Sequence, residues 1–335
     1  MNQDILPIGK LPLEFLGTLL KDLETDDPNV IVGPGIGQDA CVIRFGGQHL
    51  VFKTDPITFA TESIAQHLVT INANDIACMG GIPKYLLVTI LLPEGSTTRD
   101  RVHEIFVDLK NVCSSMGITL VGGHTEITYG IDRPIAVGFM IGMLTGSNLV
   151  RASNAQPGDA ILLSKSIPIE AIGILAREKA DRIHAAPDTL IRARRLIDEP
   201  GISIVKEARI ALESGGITAM HDPTEGGLAT GLRELAIASG CGVEVHWETI
   251  PILEIAGEIL ESFDMDPLGT LASGSLLVCC RPESVEGILS AWRQESISGA
   301  RIGSMTQEQT LILYRGGVAT ALPVFTVDEI TKAFS

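Results

Sequence analysis

The amino-acid sequence predicts two α+β domains, and three observations carry that expectation. At 335 residues the chain has room for two domains of ordinary size. Each half mixes short apolar runs of strand length with longer stretches at helical spacing, without strict strand–helix alternation. Between two apolar runs, Ser153-Asn154-Ala155-Gln156-Pro157-Gly158-Asp159 is polar and rich in turn formers. The expected division is therefore 1–152 and 153–335.

In the first half, Leu13, Leu16, Leu19, Leu20 and Leu23 form a helical stripe over residues 11–23. Runs 41–45 and 50–54, separated by Gly46-Gly47, read as a hairpin. A helix follows over 61–79 and a strand over 85–92. Thr97 or Thr98 caps the next helix, which ends near Gly117 before a strand at 118–121. A strand at 135–144 closes this half. The second half starts with a strand at 160–163 and helices near 168–180, 187–197 and 202–214. A strand at 217–220 leads through a glycine-rich turn into a helix reaching about residue 238. Strands near 242–247, 274–280, 300–304 and 310–314 then alternate with helices near 252–262 and 283–294.

Composition narrows the classes. Hydrophobic residues make up 45% of the chain and aromatics only 4%, so aliphatic side chains must build the cores. A net charge of −16 leaves no basic stripe to neutralise phosphates, which excludes nucleic acid as a partner. The longest apolar stretch, 85–92, is far short of the ~20 residues that span a bilayer. No basic-then-apolar leader pattern opens the sequence, so a soluble, cytoplasmic protein with no membrane partner is expected. The six cysteines include no CxxC pair and read as structural thiols rather than a disulfide framework or zinc site.

Four acidic residues beside glycine, proline or asparagine carry the chemistry. They lie in Gly35-Ile36-Gly37-Gln38-Asp39, Lys53-Thr54-Asp55-Pro56, Asn72-Ala73-Asn74-Asp75 and Gly122-Gly123-His124-Thr125-Glu126. Two carboxylates ~4 Å apart repel by roughly 4 kcal/mol at an effective dielectric near 20. A hard divalent cation with oxygen ligands relieves that repulsion, and glycine loops expose backbone N–H groups to anions. Together these features describe a magnesium–nucleotide site. The strand period places Val51, Lys53 and Asp55 on one side, with Pro56 expected to halt the strand. Asn72 and Asp75, three apart on a helix, share a face beside the apolar Ile64, Leu68 and Ile71. Polar groups there are costly unless bound. Asp222-Pro223-Thr224-Glu225-Gly226-Gly227 opens another helix, with Thr224 a fair N-cap. Its paired glycines suggest close approach by a ligand or another backbone.

In this order, the segments resemble the aminoimidazole-ribonucleotide (AIR) synthetase, or PurM-like, superfamily. It includes that synthetase, selenophosphate synthetase, thiamine-monophosphate kinase and the hydrogenase-maturation carbamoyl dehydratase HypE. The resemblance runs from Gly9-Lys10-Leu11-Pro12 through Asp222-Pro223-Thr224-Glu225-Gly226-Gly227-Leu228-Ala229 to Asp266-Pro267-Leu268, and it favours the HypE-related branch. It implies a homodimer with ATP and Mg2+ as cofactors. The expected 1–152 domain would bind ATP and dimerise through its sheet, while 153–335 would close over it. A hydrogenase or metallocentre maturation partner is also implied.

Matched motif by motif, Asp39, Asp55, Asp75 and Glu126 are expected to hold metal. Gly35, Gly37, Lys53, Asn72, Gly122, Gly123 and His124 would bind the nucleotide, and His221, Asp222, Thr224 and Glu225 would face a small substrate. The implied chemistry is activation of a substrate oxygen by phosphorylation. Departures from HypE argue against its own reaction. The chain ends Thr331-Lys332-Ala333-Phe334-Ser335 with no terminal cysteine, and Gln38 replaces an acid. Glu126 stands at a lysine position, Glu225 at an arginine, and Ser273 at a glutamate. Two alternatives follow: a nucleotide-binding accessory or scaffold protein, or a small-molecule kinase like the thiamine-phosphate branch.

Overall fold

The computed structural model describes residues 6, 8–23, 26–146 and 148–334. The chain divides into two compact units. One, here the amino-terminal unit, comprises residues 26–33 and 39–149. The other, the carboxy-terminal unit, comprises the described residues of 1–25, 34–38 and 150–335.

The first helix, α1 (Leu13–Lys21), belongs to the carboxy-terminal unit. The amino-terminal unit follows with β1 (Val30–Val32), β2 (Cys41–Phe45), β3 (Gln48–Ile57), α2 (Ile64–Cys78), β4 (Gly81–Pro93), α3 (Arg99–Ser115), β5 (Thr119–Thr128) and β6 (Ile135–Leu144). Its six strands form one sheet in the order β1-β2-β3-β6-β4-β5. The pleat sorts the side chains of its central strands. On β4, Leu86, Val88, Ile90 and Leu92 are buried, while Ile82 and Tyr85 are exposed. On β6, Met140 is buried and Phe139 exposed, stacking on Phe52 of β3 with ring centroids 6.0 Å apart.

Helix α2 packs against β3, β4 and β6, so its polar Asn72, Asn74 and Asp75 are buried along with Leu68 and Ile76. Glycines on β6 make that approach possible. A Cβ at Gly138 would meet the Asn72 amide, and one at Gly142 would collide with Ile76. Thr98 caps α3 as expected, its hydroxyl accepting from Arg101 N at 3.2 Å. Gly46 and Gly47 turn the β2–β3 hairpin with φ of 55° and 83°.

Two expectations fail here. Pro56 does not halt β3, which runs on to Ile57 and pairs with Ala136 and Val137 of β6. Pairing with β2 ends at Phe52, so Pro56 sits where one side of β3 carries no ladder partner and its missing N–H costs nothing. The strand expected at 118–121 also continues, and Gly122-Gly123-His124-Thr125-Glu126 is part of β5 rather than a loop. The register shifts just before the glycines, where Val121 of β5 is left without a partner, and Gly122 and Gly123 then pair with Leu87 and Val88.

The carboxy-terminal unit continues through β7 (Ala160–Ser164), α4 (Ile169–Glu178), α5 (Pro187–Arg195), α6 (Val205–Ser214), β8 (Ile217–His221) and α7 (Gly227–Ser239). It ends with β9 (Gly242–His246), α8 (Ala256–Glu261), β10 (Leu277–Cys280), α9 (Val285–Gln294), β11 (Gly299–Thr306), β12 (Leu311–Arg315) and β13 (Val318–Ala321). Its seven-stranded sheet has the order β13-β12-β9-β11-β7-β10-β8. Leu228, Leu232 and Leu235 of α7 join Ile161, Leu163, Val243 and Val245 in its core. Among the described residues, no helix is long and apolar enough to cross a membrane.

Candidate functional site

In the amino-terminal unit, β3 and α2 bring an ion cluster together. Lys53 and Asp55, two apart on the helix-covered side of β3, meet Asp75 from α2. Lys53 Nζ lies 3.4 Å from Asp55 Oδ2 and 3.2 Å from Asp75 Oδ2. Burial alone would pull the lysine down, but Asp75, Asp55 and Asp39 outweigh it and raise Lys53 above its ordinary value. Asp39 and Asp75 are themselves buried. Asn72 is fully buried beside them, its Nδ2 donating to Leu68 O at 2.9 Å and to Asp55 O at 3.4 Å. Its Oδ1 is buried with no hydrogen-bond partner among the described residues. A polar atom left so is expensive, so the position suits a ligand.

The expected convergence of four acids on one ion is not found. Glu126 lies on β5, half exposed, 3.1 Å from the Nε2 of a more exposed His124. His124 and Glu126, two apart on this edge strand, project from the same face of the sheet. Among the described residues, no group of three or more His, Cys, Asp and Glu could hold a metal ion. The ammonium of Lys53 stands among the aspartates instead. These residues do not fit a metal site built from protein ligands alone.

Gly122 and Gly123 have φ of 155° and 153°, and a Cβ at Gly123 would strike the Val88 carbonyl. Gly35 and Gly37 lie in the carboxy-terminal unit. Gly37 has φ of 73°, and a Cβ there would sit 2.7 Å from the Glu234 carbonyl oxygen of α7. Backbone packing accounts for this glycine without an anion.

Within the carboxy-terminal unit, the segment joining β8 to α7 forms a second cluster. Thr224 is not the helix cap; Gly226 is, with φ of 80° and no side-chain cap. The Thr224 hydroxyl accepts from Lys10 Nζ at 2.7 Å, and Glu225 Oε2 lies 3.3 Å from the same nitrogen. Burial would raise Glu225, but Lys10 and neighbouring donors hold its carboxyl below the usual glutamate value. A Cβ on Gly227 would come within 2.7 Å of the Leu268 and Thr270 carbonyls, so another backbone is what demands the second glycine. His221 is buried with its Nε2 2.8 Å from Glu234 Oε2, and Asp222 is buried too. Of the four residues expected to meet substrate, Thr224 and Glu225 share Lys10 as a partner.

Sequence reasoning gave no role to Lys10 or Asp328. Lys10 was visible in Gly9-Lys10-Leu11-Pro12, but its partners lie over 200 positions away. Asp328 accepts from Gly226 N at 2.6 Å, Ile330 N at 2.7 Å and Leu271 N at 3.2 Å. Burial pushes its carboxyl up to about 7 against those three donors. Lys10, Leu13, Glu225, Arg233, Phe325 and Asp328 help to line a cleft of about 450 Å³. The cysteines are free thiols, and burial pushes both Cys113 and Cys280 up to about 11, which disfavours the reactive thiolate.

The chain is similar over most of its length to known proteins. The profile described as AIR synthase related protein, N-terminal domain, matches residues 37–144, and that of the C-terminal domain matches 156–316. A Methanocaldococcus jannaschii protein named for hydrogenase expression and formation is 28% identical over 309 residues, spanning 90% of this chain and 89% of its own. Carbamoyl dehydratase HypE of Cupriavidus necator is 27% identical over 274 residues, spanning 78% of this chain and 74% of its own. The crystal structure of hydrogenase maturation protein HypE in complex with ATP superposes with a TM-score of 0.72 at 22% identity. That match covers 96% of this chain and 94% of the other.

Proposed function

Because the chain belongs to the AIR synthase related protein family, we propose that it binds ATP and activates an oxygen of a small substrate by phosphorylation. The observation that carries this reading is the cluster of half-buried Lys53 and Asp55 with buried Asp75 and Asn72 on β3 and α2. An ion cluster is weak grounds for stability, since burying charge costs about as much as pairing returns. Lys53 can instead meet a phosphate, and the unsatisfied Asn72 amide oxygen suits the cation that accompanies it or that cation's water. Magnesium enters as the counter-ion that ATP carries, not as a resident ion.

The cleft beside Lys10, Thr224 and Glu225 is assigned to the substrate. Lys10 supplies positive charge for an oxygen-bearing group, while Thr224 offers a hydroxyl. His221 and Asp222, buried at the foot of the segment, hold it in place. Gln38, Glu126 and Glu225 differ from the HypE pattern, and on that ground the substrate is a free small molecule rather than a carbamoylated protein. We assign a homodimer contact to the open face of the six-stranded sheet, where Ile82, Tyr85 and Phe139 are exposed.

Two measurements test the reading. Asp75→Asn should lower ATP affinity by calorimetry about tenfold or more while leaving the circular dichroism unchanged; unaltered affinity would reject the site. Purified protein with Mg-ATP and pooled amides, phosphates and metabolite extracts should release ADP faster than without them. Phosphate kept on the product identifies a kinase, and free phosphate a transient activation. Tight ATP binding with no stimulation by any pool would reject catalysis in favour of an accessory role.

A further inference from the structure

Lys53 poses a problem that the nucleotide-site reading, on which this inference rests, does not solve. Its ammonium lies 3.2–3.4 Å from the two carboxylates best placed to meet a metal–nucleotide complex. A small divalent cation binds carboxylate oxygens at about 2.0–2.1 Å, so it must share Asp55 Oδ2 and Asp75 Oδ2 with the ammonium and is repelled by its charge. We propose that Lys53 is an internal counter-ion that competes with a divalent cation for Asp55 and Asp75. The cation then binds well only in company with a nucleotide, whose phosphates receive the displaced ammonium.

Three features support this. Lys53 sits mid-strand, and it and both its neighbours are held in the ladder with β6: Phe52 pairs with Ile141, Lys53 with Met140 and Thr54 with Phe139. The backbone is therefore fixed, and exchange needs only rotation of a flexible four-carbon stem. Three carboxylates against one ammonium leave the cluster net negative, so a doubly charged ion compensates it better than lysine does. Asn72 Oδ1, buried and without a hydrogen-bond partner among the described residues, is a neutral oxygen for an incoming cation or its water.

Competition has a directional consequence. Deleting the ammonium should create a metal site where the native protein has a poor one. The native chain, Lys53→Met and Lys53→Gln should be titrated with Mn2+ alone, following free Mn2+ by electron paramagnetic resonance. A second series repeats the titration with a non-hydrolysable ATP analogue present. Lys53→Met should bind Mn2+ alone about tenfold or more tightly than the native protein. Its melting temperature should rise with Mn2+ far more than that of the native chain. If Lys53→Met does not fold, Lys53→Gln, whose amide can still donate to a carboxylate, should shift affinity in the same direction. In the native protein, the analogue should strengthen Mn2+ binding.

Equal or weaker Mn2+ binding by the variants, with the native protein still binding Mn2+ and analogue together, overturns the competition and leaves the nucleotide site standing. Failure of the native protein to bind the analogue, with or without Mn2+, overturns both.

Discussion

Gly37 and Gly123 are held to glycine by neighbouring backbone, although the sequence reading gave both to a nucleotide. At Gly37 the left-handed φ of 73° would cost a side chain about 1–2 kcal/mol by itself. The Glu234 carbonyl, 2.7 Å from where a Cβ would be, adds to that. Gly37→Ala should therefore lower the urea midpoint of the protein clearly. ATP affinity, measured where the variant is still folded, should change little. A variant of native stability with weakened ATP binding would return this loop to the ligand. Gly123→Ala is expected to be worse, because the Val88 carbonyl belongs to the paired strand and cannot move without breaking the β4–β5 ladder. A glycine motif shows in sequence that something comes close; it does not say whether that is a phosphate or a carbonyl.

At the level of elements, much of the fold was legible and the exceptions have physical causes. The β2–β3 hairpin, α2, and α3 with its Thr98 cap follow from local signals: a Gly-Gly turn, a helical stripe and a capping hydroxyl. The strand β1 is three residues long, too short to show a period. β5 was misread because paired glycines look like a loop when their φ cannot be seen. The Lys53–Asp55–Asp75 grouping was partly readable, since strand and helix periods give each face, but Lys53 as the centre of the cluster was not. Asp328 was invisible for a related reason. Its carboxylate gathers amides from 226, 271 and 330, tying the last described segment to the start of α7. Burial raises this acid from 3.8 to about 7. Between those values the folded chain holds a proton that the unfolded chain has lost, so stability falls as pH rises through that window. The contribution is complete below about 4 and gone above about 7. Urea midpoints of the native protein should thus drop between pH 5 and pH 8, and by less in Asp328→Asn, which cannot titrate. Parallel profiles for the two proteins would show that Asp328 is not the group responsible.

For the whole molecule, the question is what covers the outer face of the six-stranded sheet. One face is buried under α2 and α3; the other presents Ile82 and Tyr85 on β4 and Phe139 on β6, each at least 40% exposed. These exposed apolar side chains on one face of a chain carrying −16 are where the proposed homodimer contact would form. Two copies meeting there would bury rings against rings while their net charges repel. Salt should therefore strengthen the dimer, because screening removes repulsion and leaves the apolar contact intact. Sedimentation equilibrium should show tighter association at 0.5 M than at 0.05 M NaCl. Phe139→Asp should shift the protein to monomer at both. Phe139 lies on the face away from Lys53 and Asp75, so the variant's secondary structure should be native. A dimer that weakens with salt, or survives Phe139→Asp, would place the contact on a charged surface elsewhere and leave this face to another partner.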